Sequence, residues 1–278
     1  MIYNREFGAD HINSANTINN LGNVYYSQGN YSKAMQYFNK IYIICENIDD
    51  YNPIILAFAS QGLGKIYLSA RKCDLALPYL KNALATFLNH LGASHIETAI
   101  TRTLLGMLYQ YNNKIDSSLS EFHDAIDFLL ITFGAWHINS LFTMESFANL
   151  QIDIDQASVA IKTLLQILRI YNDIIGEHNV RSINSLHFLG KAYAKEKNHT
   201  LAIATYMQAL DIVKSHDDMK DIKGAEIMKD LAVSYIAQRQ KHLARDMLLS
   251  AKILFENEFG TDHLFSIQTK EVFSKVEE

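Results

Sequence analysis

The sequence holds little that would break a helix. Two prolines and twelve glycines punctuate 278 residues. An all-β chain of that length needs many more turn residues, so the composition predicts helices. Two cysteines, Cys45 and Cys73, make neither a disulfide framework nor a metal pair, and both read as small packing residues. No stretch approaches the run of ~18 apolar residues that a membrane span requires, which argues against membrane insertion. The N-terminal MIYNREFGAD lacks the charged-then-apolar layout of a secretion signal. No run of five like charges occurs and the formal net charge is −5. Wholesale binding of DNA or RNA phosphates, which needs a basic face, is therefore not expected. What remains is a chain 49% hydrophobic, enough for a large core, expected in the cytoplasm.

The chain repeats itself. FGADHINSANTINNLGNVYY begins at Phe7, and related phrases begin at Leu91, Phe133, Ile175 and Phe259. Successive starts differ in number by 84, 42, 42 and 84, all multiples of 42. Fourteen positions after each start stand Leu21, Leu63, Leu105, Phe147, Leu189, Leu231 and Phe273, two of them in registers that lack the opening phrase. The next position holds Gly22, Gly64, Gly106, Ala148, Gly190, Ala232 and Ser274. Tyrosine follows three further on at Tyr25, Tyr67, Tyr109, Tyr193 and Tyr235. A fixed period without insertion predicts a solenoid.

Each period holds two helical stripes. Ile18, Leu21, Gly22 and Tyr25 fall on one face; after the turn Gln28-Gly29-Asn30, so do Ala34, Phe38, Ile41 and Tyr42. Small residues let two helix backbones approach, and large ones fill the grooves beside them. One pair cannot bury both faces, so pairs must stack. The expected repeats are 7–48, 49–90, 91–132, 133–174, 175–216 and 217–258, with a terminal helix in 259–278. Asp10, Asn52, Ser94 and Asp262 are the expected N-caps, Pro53 suiting the first helical position and Glu97 completing a capping box with Ser94. Residues 2–6 match the end of a second helix, and the last helix has no partner. Residues 1–278 are therefore expected to be one array, or part of a longer one.

Leu-Gly, then Tyr, then Ala-x-x-x-Phe in the second helix resembles the tetratricopeptide repeat. The 42-residue period, the Gly-x-x-His phrases ending at His11, His95, His137 and His263, and Asn19-Asn20-Leu21-Gly22 resemble its kinesin light chain subtype. The resemblance implies an all-α right-handed superhelical solenoid of antiparallel helix pairs. It also implies a concave face lined by first helices, on which a peptide segment or partner protein binds. The positions it assigns to that face include Asn19, Asn23, Tyr26, Gln61, Lys65, Thr103, Met107, Tyr111, Glu145, Asn149, His187, Lys191 and Lys195, all expected to be exposed.

Lys191 and Lys195, with His187, form a basic step expected to receive an acidic group. The junction histidines, one per layer and layers ~10 Å apart, cannot converge on a metal. No catalytic constellation or cofactor site is evident. The expected function is a non-catalytic interaction module, adaptor or scaffold. Its alternatives are a regulatory array sensing a peptide signal, or the scaffold region of a larger enzyme or bacterial effector, the latter working in a host cytosol. Self-association is a further possible use.

Overall fold

The computed structural model describes residues 14–46, 51–176, 178–215 and 222–277. Among these residues lie thirteen α-helices and no strand. They are α1 (Ala15–Ser27), α2 (Tyr31–Glu46), α3 (Pro53–Ser69), α4 (Cys73–Leu91), α5 (Ile96–Tyr111), α6 (Ile115–Phe133) and α7 (Ile138–Asp153). The others are α8 (Ala157–Ile175), α9 (Ser182–Lys195), α10 (His199–Ser215), α11 (Ile222–Ala237), α12 (Lys241–Phe259) and α13 (Leu264–Glu277). Each period of the sequence holds one helix pair, and α13 stands alone in the last. The chain divides into two compact units, Met1–Thr143 and Met144–Glu278, with the boundary inside α7.

In the first unit α1 packs on α2, α3 on α4 and α5 on α6, and each second helix packs on the next first helix. First helices also touch each other, α1 with α3 and α3 with α5. The second unit repeats the scheme from α9 to α13. Ala34, Phe38, Ala76, Leu80, Ser118 and Phe122 are wholly enclosed in the first unit, and Ala160, Leu164, Ala202, Ala244 and Leu248 in the second. The small residue of each second helix thus sits at a close crossing. Ser118 is admitted there because its hydroxyl donates to the Gly106 carbonyl at 2.7 Å. At Gly190 a Cβ would fall 2.5 Å from the Tyr206 ring, so the crossing requires glycine. Leu21 departs from the expected core role: it is 40% exposed.

The turn between paired helices repeats as faithfully as the helices. Gly29, Arg71, Asn113, Asp155, Lys197 and Arg239 occupy equivalent places in successive periods, and all have φ between 54° and 74°. The amide after each donates to the carbonyl five positions back, as in Asn30 to Tyr25 at 2.9 Å and Asn198 to Tyr193 at 2.8 Å. This is a left-handed C-terminal cap that satisfies an orphan carbonyl at the helix end.

Candidate functional site

The junction phrase is a capping device. His95 Nδ1 accepts from Glu97 N at 3.2 Å, His137 Nδ1 from Asn139 N at 3.3 Å, and His263 Nδ1 from Phe265 N at 3.3 Å. The N-caps are therefore the histidines, not Ser94 and Asp262 one position earlier. Asn52 caps α3 as expected, accepting from Ile54 N at 3.0 Å. The preceding aromatic stacks on the capping ring, Phe133 on His137 at 4.6 Å and Phe259 on His263 at 4.4 Å. Gly134 and Gly260 between them hold φ of 74° and 86°, which side-chain-bearing residues avoid. In α9 the phrase fails: His178 lies outside the helix, and Asn179 Oδ1 accepts from Ser182 N at 3.1 Å. Asp10 and His11 lie outside the described residues.

First helices are joined by a polar ladder. The residue two before each repeat's leucine meets the residue four before the next one. Gln61 Nε2 donates to Thr101 Oγ1 at 2.9 Å and to Glu97 at 3.2 Å. The hydroxyls of Thr103 and Thr143 lie 2.8 Å apart. In the second unit Ser185 donates to the Glu145 carboxylate. Where the partner position is apolar the rung changes. Ala59 offers Asn19 nothing, and Asn19 Oδ1 is buried without a partner among the described residues. Ile227 offers His187 nothing, and its Nε2 lies 2.8 Å from Asp230 Oδ2 instead.

The packing of first helices corrects the expected exposure of five residues, four on this row and Asn149 one turn further along α7. Gln61, Thr103, Glu145, Asn149 and His187 are buried, Thr103 completely. The reason is geometric: adjacent first helices pack closely enough that side chains on this row insert between them. Asn19, Tyr26, Lys65, Met107, Tyr111 and Lys191 are half-buried, and only Asn23 and Lys195 are exposed. Tyr26 hydrogen-bonds Ser69 at 2.9 Å, and the Arg71 guanidinium lies 3.4 Å over the Tyr111 ring. Burial lowers the Lys65 ammonium below its ordinary range, against the pull of Glu97.

The second unit concentrates the charge. Burial pushes the Glu145 carboxyl up to about 7, against the Ser185 hydrogen bond and the Lys223 charge. Burial, with Lys223, depresses His187 to about 4, against its bond to Asp230. The imidazole is thus neutral at pH 7 and donates its Nε2 proton to Asp230, leaving Nδ1 buried without a partner among the described residues. Burial alone would raise Asp230, but the His187 hydrogen bond and the Lys229, His187 and Lys191 charges hold it well below the usual carboxylate range. Lys191 donates to Asn149 Oδ1 at 2.6 Å, and Lys195 pairs with Asp155 at 2.9 Å. The expected basic step therefore carries its own acids.

Above these groups α7, α9, α10 and α11 line an open cleft of about 230 Å³. Ile152, Ala194, Val233 and Tyr206 give it apolar surface, and Lys191, Lys195, Asp153 and Asp230 line the rest. Sequence reasoning named Lys191 and Lys195 but missed Tyr206 and Asp230. It also missed the hydroxyl row Thr101, Thr143 and Ser185, whose signal is a recurrence once per period. Among the described residues no three His, Cys, Asp or Glu side chains converge to hold a metal, and no helix is long and apolar enough to cross a membrane.

Tetratricopeptide repeat family models match residues 2–47 and 183–216. No curated protein matches the chain in sequence. A putative kinesin light chain with nearly identical TPR-like repeats from Podosopora anserina is 18% identical, with a TM-score of 0.53 over 75% of this chain and 98% of that one. BtubC (BKLC) from P. vanneervenii is 16% identical, with a TM-score of 0.59 over 81% of this chain and 91% of that one. A Rap protein complexed with Competence and Sporulation Factor is 11% identical, with a TM-score of 0.63 over 92% of this chain and 72% of that one. At such identities the likeness is one of fold. The family matches identify the repeats at residues 2–47 and 183–216 as tetratricopeptide repeats, and the remaining helix pairs share that fold.

Proposed function

We propose that this chain is a non-catalytic interaction module whose first-helix face in the second unit binds a peptide segment of a partner protein. The observation that carries the reading is the cleft lined by α7, α9, α10 and α11. Its apolar surface would take a side chain, and the charged groups around it would orient the backbone or a neighbouring acidic group. Val233 is exposed there despite being apolar, which fits a surface held open for a ligand. Lys195, exposed and paired with exposed Asp155, is the cation an incoming carboxylate would capture most easily. The Rap relative, solved with its factor bound, gives a precedent for a ligand on this fold.

Peptide-display selection tests this, with the wild type and a Lys195→Glu, Val233→Glu variant run side by side. Both changed residues are exposed, so the variant should melt with the wild type. The expected result is an enriched motif pairing an apolar with an acidic residue, lost in the variant. Equal binding by both proteins would remove the site from this cleft, and no enrichment would remove the peptide.

A further inference from the structure

We propose that the α6–α7 junction is a self-association surface, through which two copies of this chain pair about a twofold axis. Five apolar side chains cluster there within a nine-residue stretch: Leu130, Ile131, Phe133, Trp136 and Ile138, all exposed. Ile131 is 86% exposed and Trp136, the only tryptophan of the chain, 59%. Scattered surface leucines need no explanation, but five exposed apolar side chains within nine residues, a tryptophan among them, do. No other described junction carries such a cluster. At the last one Thr261 and Asp262 occupy the places of Ala135 and Trp136.

One side of the patch, at Phe133, is preformed. Phe133 is held edge-on by Phe128 at 5.9 Å and face-on by His137 at 4.6 Å. His137 in turn caps α7, and Gly134 fixes the bend. Ordering this side of the surface on binding therefore costs little.

Charge narrows the occupant. From Phe128 to Met144 there is no Asp, Glu, Lys or Arg. Between Lys114 and Lys162 there is no Lys or Arg at all, but there are seven acids. An anionic lipid surface or a nucleic acid would find no counter-charge. Of the acids that precede the patch on α6, Glu121 and Asp124 are neutralised by Arg102 at 2.8 and 2.9 Å, and Asp127 stands exposed at the rim, one turn before Leu130 and Ile131. An uncharged patch on a weakly acidic chain best fits a copy of itself, because a twofold contact places like on like and needs no opposite charge. The area agrees. Aromatic side chains cover ~150–250 Å² each, so the five exposures amount to roughly 500 Å² per copy. A pair would bury about 1,000 Å² in total, the lower bound of a specific contact. The dimer should therefore be weak.

Sedimentation velocity of the intact chain over about 1–200 μM, with Trp136 emission recorded on the same samples, tests the proposal. The expected result is a concentration-dependent rise from the 31.6 kDa monomer toward twice that mass, with a blue shift of the emission. Ile131→Lys keeps the fluorophore and changes a side chain that touches little, so it should fold normally. It should remain monomeric with solvent-exposed emission at every concentration. A wild type that stays monomeric throughout overturns the proposal, as does a dimer that Ile131→Lys forms equally well. A blue shift seen only with added lipid vesicles would overturn it in favour of a membrane. None of the cleft residues is involved, so this result and the peptide selection fail independently.

Discussion

The buried pair of rungs in the second unit makes stability depend on pH in a way the wild type should conceal. The Glu145 carboxyl has an ordinary value of 4.5 and is raised to about 7 in the folded chain. Its favourable contribution is complete below pH 4.5 and is lost as pH rises through about 7. At one pKa unit per ~1.4 kcal/mol the whole loss is about 3 kcal/mol. His187 runs the other way. Its ordinary value of 6.5 falls to about 4, so its contribution is complete above pH 6.5 and is lost as pH falls toward 4. Between pH 4.5 and 6.5 the two slopes oppose each other and nearly cancel. Asp230, held low, adds its loss only in more acid solution.

Replacing Glu145 with Gln keeps the shape and an acceptor for Ser185 but removes the titration. Urea unfolding of Glu145→Gln should therefore show stability rising with pH from 4.5 to 6.5. Relative to the wild type, the variant should gain about 3 kcal/mol between about pH 4.5 and 8. His187→Gln should unmask the opposite slope, falling with pH across the same window. If the Glu145→Gln curve runs parallel to the wild type between about pH 5 and 8, the carboxyl is not raised and the burial argument is wrong.

Four further outcomes follow from the packing, each measured by urea or thermal unfolding. Thr103→Ala should cost about 1–3 kcal/mol, because it empties an enclosed site and breaks the bond to Thr143, while Asn23→Ala should cost within about 0.5; equal losses would mean the ladder contributes nothing. Gly190→Ala should cost about 1–3 kcal/mol, since its Cβ would press on the enclosed Tyr206 ring. His137→Ala removes a cap and its stacked aromatic and should cost about 0.5–2 kcal/mol, a loss that His137→Asn should largely avoid. Ala59→Ser offers Asn19 Oδ1 its missing donor and should stabilise by up to about 1 kcal/mol; a destabilised variant would show that the site has no room for an oxygen.

How much of this was legible depended on whether a residue's role is set by its own helix or by the next repeat. Helix pairs, their close crossings and the turn between them obey local rules: an apolar stripe, a small residue opposite a large one, a residue that tolerates a left-handed cap. Those rules recur once per period, so Ala34, Phe38 and Gly190 could be placed from sequence, and the structure encloses the first two completely. The first-helix face follows a different rule. Whether a polar side chain there meets water or a neighbouring helix depends on how far apart first helices stand, and the period does not encode that distance. Gln61, Thr103 and Glu145 look like a solvated row until Thr101, Thr143 and Ser185 are brought against them. The hydroxyls were visible in the sequence all along, two positions before the row they serve. Only their pairing with the preceding repeat turns them from ordinary helix-surface residues into partners. The same dependence on neighbours explains the histidines. A residue taken for junction packing becomes an N-cap because glycine bends the chain and an aromatic fixes the ring, and three residues must agree before the role can be read. A polar face in a stacked array is therefore best tested for complementarity one period further on before any of it is assigned to a ligand. In this chain that test withdraws five of thirteen positions from the exposed surface; Asn23 and Lys195 stay exposed, and the proposed site keeps Lys195 and Val233 at the rim of its cleft.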